Sequence, residues 1–94
     1  MKDLAELRKR IDEIDSKIIE LYEERMEIVK DVIKYKIENN IDVLDSGREN
    51  LMLKKNLNKI KNLEYRKYYK EVLSGFLKAS KKMQNDIKEE YKGE

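Results

Sequence analysis

The sequence contains no cysteine, no histidine and no proline. Without cysteine there is neither a disulfide framework nor a thiolate metal site, and without histidine the usual zinc and general-base chemistries lose their commonest side chain. Any catalysis by this chain is therefore expected to need neither a metal nor an imidazole. Without proline, and with the three glycines confined to positions 47, 75 and 93, nothing interrupts the N-terminal stretch before about residue 38. Long hydrophobic runs are missing as well. No apolar stretch approaches the roughly 18 residues of a membrane span, and the N-terminus enters a charged amphipathic pattern with no signal-type apolar centre. A cytoplasmic protein without a membrane partner is expected. An excess of one charge is also absent. The 22 basic and 20 acidic residues leave a net charge of +2 and alternate in sign, so nucleic-acid binding has no basic block to rest on.

What is present is helical periodicity. With 94 residues, 39% hydrophobic and 45% charged, the chain reads as a single domain with only a thin core per protomer, for which a partner chain is a ready remedy. Leu4, Leu7, Ile11, Ile14, Ile18, Leu21, Ile28, Val32 and Tyr35 keep three-four spacing, the pattern of a helix's buried seam. The helix is expected over about residues 3–38, roughly 50 Å long. It cannot fold back on itself, so it must pair with later helices or with another copy of itself. Position 25 is the one place where a charge fills that stripe. Taking a guanidinium out of water costs several kcal/mol unless anions meet it, so Arg25 is expected to hold something negative. Lys36 lies only about 20° from the same azimuth, so two cations look inward from one helix.

Residues 39–44 break the period and read as a loop, its asparagines suited to a turn or a C-cap. A second helix is expected over about residues 46–60. Ser46 and Glu49 have capping-box spacing, and Asp45 is an equally good N-cap. Lys61, Asn62 and Leu63 form the second turn. A third helix over about residues 64–90 carries Tyr65, Tyr69, Val72, Leu73, Phe76, Leu77, Ser80, Met83 and Ile87 at helical spacing. Gly75 inside it costs about 1 kcal/mol relative to alanine, which a close helix crossing would explain. Ser80 falls on the apolar stripe and Gln84 one turn later, so both can face the place where Arg25 and Lys36 point. Each polar residue has an ordinary structural explanation. Ser80 packs and bonds back to a carbonyl, Gln84 is solvated, Lys36 complements the helix dipole, Glu49 and Asp45 cap, Arg48 is exposed in a first turn, and Arg25 snorkels. All of them at coherent positions is harder to explain that way.

The run Leu7, Arg8, Lys9, Arg10, Ile11, Asp12, Glu13, Ile14, Asp15 resembles the "Leu-Arg-x-x-Ile-Asp-x-Ile-Asp" run of the all-helical chorismate mutases of the monofunctional bacterial and archaeal type. The resemblance covers nearly the whole chain. The family's seam arginine matches Arg25 and its lysine near the end of the long helix matches Lys36. Its "Asp-x-x-Arg-Glu" run opening the second helix matches Asp45, Arg48 and Glu49, and its serine and glutamine on the last helix match Ser80 and Gln84. What the resemblance implies is an all-α fold of one long, one short and one medium helix in an intertwined homodimer. The implied activity is the rearrangement of chorismate to prephenate in phenylalanine and tyrosine biosynthesis, with no cofactor and no metal.

The resemblance also implies roles. Arg8 and Arg25 would hold the substrate's carboxylates, with Ser80 helping at one of them. Lys36 and Gln84 would donate hydrogen bonds to the ether oxygen. Glu49 would accept from the ring hydroxyl, with the backbone near Asp45 close by, and Arg48 would sit in the ion-pair network. Geometry bears on the oligomer independently, because Arg8 and Arg25 are roughly 25 Å apart on one rod, too far to grip one small dicarboxylate. Either Arg8 is a surface residue or it arrives from a second, antiparallel copy of the long helix. Two other readings stay open: an isochorismate pyruvate-lyase, which resembles the same fold and site, and a non-catalytic helical dimer serving as an adaptor.

Overall fold

Asp3 starts the long helix. Its backbone is extended and its side chain accepts from the Glu6 backbone N–H at 2.9 Å, which satisfies one of the donors that a helix start leaves without a partner. The computed structural model describes residues 3–43 and 46–92, without the side chains of Ser46 and Lys92. Three helices account for most of them: α1, Leu4–Glu38; α2, Ser46–Lys59; and α3, Arg66–Lys92, the last preceded by a 3-10 turn, Leu63–Tyr65. No strand occurs among the described residues. The fold is all-α.

The end of α1 is fixed by two asparagines. The Asn39 side-chain amide donates to the Tyr35 carbonyl at 2.8 Å, and Asn40 takes a left-handed backbone with φ of 55°, a region asparagine enters more readily than most residues. That turn brings the Asn40 N–H to the Ile37 carbonyl (3.3 Å) and the Ile41 N–H to the Lys36 carbonyl (2.8 Å). This is the bond pattern of a Schellman motif, and it anchors the backbone of Lys36 itself. The chain then drops Val43 into the core. Asp45 and Leu44 lie outside the described residues, so the expected N-caps of α2, Asp45 and the Ser46 hydroxyl, lie outside them too.

Beyond α2, Asn62 organises the second turn. Its side chain accepts from the Glu64 N–H at 3.0 Å, its carbonyl accepts from the Tyr65 N–H at 3.0 Å, and Arg66 Nε donates back to the Ile60 carbonyl at 3.2 Å. The third α-helix accordingly begins at Arg66, after the 3-10 turn.

Both α1 and α2 pack on α3. The core is small: Ile33, Val43 and Ile87 are buried together, with Val29, Ile37 and Met83 against them, and Leu73 is buried further along α3. Within one chain, α3 does not cover the expected seam of α1. Leu4, Leu7, Ile11, Ile14, Ile18, Leu21, Ile28, Val32 and Tyr35 are all exposed, and the residues that turn to α3 are Val29, Ile33 and Ile37. The reason is one of reach. Every residue from 3 to 24 is exposed, because α3 covers only the C-terminal part of α1. Tyr65, in the 3-10 turn and so ahead of α3, and Val72, on α3, are likewise exposed instead of lying in the packed stripe. Gly75 meets no close crossing either, since a Cβ built there would have nothing within 4 Å.

The result is an open, elongated shape of 59 × 26 × 15 Å with a radius of gyration of 17.1 Å, against about 12 Å for a compact chain of this length. Its accessible surface of 8122 Å² likewise exceeds the about 5,800 Å² expected of a compact monomer of this mass.

Candidate functional site

At roughly 100° per residue, Arg25 and Lys36 occupy the border of α1 between the face packed on α3 and the exposed stripe. A cleft of about 320 Å³ opens along that border, at the small end of the range for small-molecule sites. From α1 it is lined by Arg25, Lys36 and the apolar Ile28, Val29, Val32 and Ile33. Arg48, Glu49 and Met52 of α2 form a second wall, Leu77, Ser80 and Gln84 of α3 a third, and Val43 closes one side.

Arg25 is half-buried and firmly seated. Its Nη1 donates to Ser80 Oγ at 3.1 Å and its guanidinium carbon stands 5.5 Å from the centre of the Phe76 ring, a cation–π contact. Ser80 is buried, and the bond to Arg25 supplies the partner that a buried hydroxyl needs. Lys36 and Gln84 are half-buried. Glu49, in the first turn of α2, faces Lys81 at 3.5 Å. Glu49 is the one carboxylate among the described residues that line the cleft, and three cations, Arg25, Lys36 and Arg48, line it with that carboxylate. A cleft with such a balance attracts a dianion. Among the described residues no group of three or more acidic side chains is placed to hold a metal ion, and no helix is long and apolar enough to cross a membrane.

The structure thus brings Arg25, Lys36, Arg48, Glu49, Ser80 and Gln84 to one cleft. It does not bring Arg8 there within one chain, since Arg8 lies on the exposed part of α1, and Asp45 falls outside the described residues. Sequence reasoning missed Lys81, whose link to Glu49 depends on how α2 meets α3 and has no spacing signature. It also missed Phe76 as the support of Arg25, having read it as seam alone, and the apolar wall of Val32, Met52 and Leu77. The chemistry available is that of fixed N–H donors and positive charge beside apolar surface, suited to gripping a compact anion and stabilising developing negative charge.

A family model described as chorismate mutase type II matches residues 7–85 of the chain, a span that contains every one of these residues and Arg8. A protein named chorismate mutase from Methanocaldococcus jannaschii is 47% identical over 49 residues, which cover 52% of this chain and 50% of that one. The chain therefore spans about half the length of the curated relative it matches. No solved structure gives a significant match.

Proposed function

The chain belongs to the chorismate mutase type II family, and from that premise we propose that it converts chorismate to prephenate. The reaction is an intramolecular Claisen rearrangement, in which a carbon–oxygen bond breaks as a carbon–carbon bond forms in the same molecule. It needs no proton transfer, nucleophile, metal or cofactor, only a site that selects the compact reactive conformer and stabilises charge growing on the ether oxygen. The observation that carries this reading is that six of the eight residues expected to do this work line a single cleft.

In this proposal Arg25, held by Ser80 and Phe76, grips one carboxylate through its planar guanidinium. Lys36 and Gln84 donate to the ether oxygen, the lysine adding a full charge as the bond cleaves. Removing one such donor from a water-excluded site costs on the order of 2.7 to 4 kcal/mol in transition-state stabilisation. Glu49 accepts from the ring hydroxyl, and Arg48 completes the charged wall.

We further read the active form as a cytoplasmic homodimer in which Arg8 of the second copy reaches the other carboxylate. Two features support this. The accessible surface exceeds that of a compact monomer by about 2,300 Å², well above the about 800 Å² per partner of a standard interface. The exposed apolar stripe of α1 also runs past the cleft, through Ile28, Val32 and Tyr35, so a chain covering the stripe would also roof the cleft.

The test is the loss of chorismate absorbance with purified protein and no added metal or cofactor, with the product identified. Metal-independent loss yielding prephenate is expected. No turnover by a folded dimer would overturn the proposal. Release of pyruvate from isochorismate would then make the protein a lyase, and inertness toward both substrates would favour an adaptor.

A further inference from the structure

Ser80 and Lys81 are neighbours on α3, yet they serve different walls of the cleft. Successive helical residues point about 100° apart. Ser80 turns to α1, where its hydroxyl accepts from Arg25, and Lys81 turns to α2, where its Nζ stands 3.5 Å from Glu49 Oε2. The Glu49 side chain is 26% exposed and that of Lys81 48%, so the cation sits on the outer side of the carboxylate. Lys81 does not itself line the cleft.

Glu49 has a conflict to resolve there. On the proposed reading it must accept a hydrogen bond from a substrate that carries two carboxylates of its own, and like charges in a partly covered site repel. It also shares the cleft with Arg25, Lys36 and Arg48, toward which a loosely held carboxylate would swing. We propose that Lys81 is a positioning residue for substrate recognition. Its ammonium clamps Oε2 of Glu49 from outside the cleft, offsets the charge of that carboxylate toward the incoming dianion, and leaves Oε1 to accept the ring hydroxyl. This inference rests on the chorismate reading and adds to it a residue that touches no part of the substrate.

The test is steady-state kinetics on the full chain for wild type, Lys81→Met, Lys81→Arg, Glu49→Gln and the Lys81→Met/Glu49→Gln double variant. Lys81 is half exposed, so thermal melts are expected to show all of them folded. Lys81→Met should raise KM for chorismate about three- to fivefold, the range of a partly exposed ion pair, with kcat within about twofold. Lys81→Arg should restore KM. In the Glu49→Gln background the same Lys81→Met change should have almost no further effect, because the clamp has nothing left to hold. An unchanged KM in Lys81→Met overturns the clamp. So does an equal loss in both backgrounds, which would mean that Lys81 acts on the dianion through its own field. A wild-type protein that leaves chorismate untouched overturns the chorismate reading and the clamp with it, a result distinct from the other two.

Discussion

Arg25 donates from Nη1 to Ser80 Oγ across the junction of α1 and α3, at 3.1 Å. Neither this hydroxyl nor the Phe76 ring on which the guanidinium rests is an anion, so both seat the cation without cancelling its charge. A half-buried arginine held in this way has been desolvated in part and still carries a full positive charge into the cleft. That combination is costly for a scaffold and useful for a site that binds a dicarboxylate.

The first prediction takes the two sides of that relationship apart. Arg25→Leu removes the cost of a half-buried charge, and the Ser80 hydroxyl that loses its partner can turn back to a carbonyl of its own helix, so the thermal midpoint should stay close to that of the wild type. Chorismate turnover should fall by about a hundredfold or more, the equivalent of one lost transition-state donor. Melts and turnover measured on the same preparation check both. A stabilised variant with undiminished activity would point to a scaffold role for the helix.

Arg8 gives the second prediction. In the proposed homodimer, Arg8→Ala and Arg25→Ala should each be inactive alone, because each would remove a carboxylate ligand from every site. Mixed in equal amounts and allowed to exchange subunits, half of the dimers carry one chain of each kind. One of the two sites in such a dimer has both arginines, so roughly a quarter of all sites should recover. Activity after confirmed exchange is the measurement, and no recovery would count against a site completed by the second copy.

The helical architecture was legible because periodicity and helix breakers are local signals. Nothing between Leu4 and Glu38 stops a helix, and Asn39 and Asn40 supply a C-terminal motif of a kind the loop composition suggested. The interrupted stripe also singled out Arg25, and the structure sets it beside Lys36, Ser80 and Gln84 in one cleft. What the sequence left hidden was what each face meets. Periodicity shows that Leu7, Ile11 and Ile14 share a face, but not that the chain's own α3 never reaches them. The angular offset between Ile28 and Val29 separates an exposed residue from a packed one, and that offset follows from the α1–α3 contact, not from residue type. The Lys81–Glu49 pair was invisible for the same reason.

Gly75 supplies a third prediction, on stability. It lies within α3, is exposed, and has open space where a Cβ would go. Gly75→Ala should therefore stabilise the protein by about 0.4–1 kcal/mol, mainly by restricting the unfolded chain. For a domain of this size that is a rise of roughly 2–8 °C in the melting midpoint, read by thermal unfolding. A fall would mean that a second copy approaches the glycine closely in the assembled protein.

Gln84 gives the prediction that bears most directly on the chemistry. Its amide is half-buried in the cleft, and an amide N–H donates at any ordinary pH. A carboxylic acid donates only while protonated, and an unperturbed glutamic acid loses its proton at about pH 4.3. Gln84→Glu should therefore be strongly impaired at neutral pH, where an ionised carboxylate would face both the developing charge on the ether oxygen and the substrate's own carboxylates. Its kcat/KM should climb as the pH falls and the side chain regains its proton, whereas the wild type should show no such climb. Burial and the approach of a dianion favour the protonated form, whereas Arg25, Lys36 and Arg48 in the same cleft favour the ionised one, so the pH at which the rise begins reads the balance between them. The pH profiles of kcat/KM for the two proteins, measured side by side, check this. A variant with full activity and an unchanged profile would remove Gln84 from contact with the reacting oxygen and leave Lys36 as the donor there.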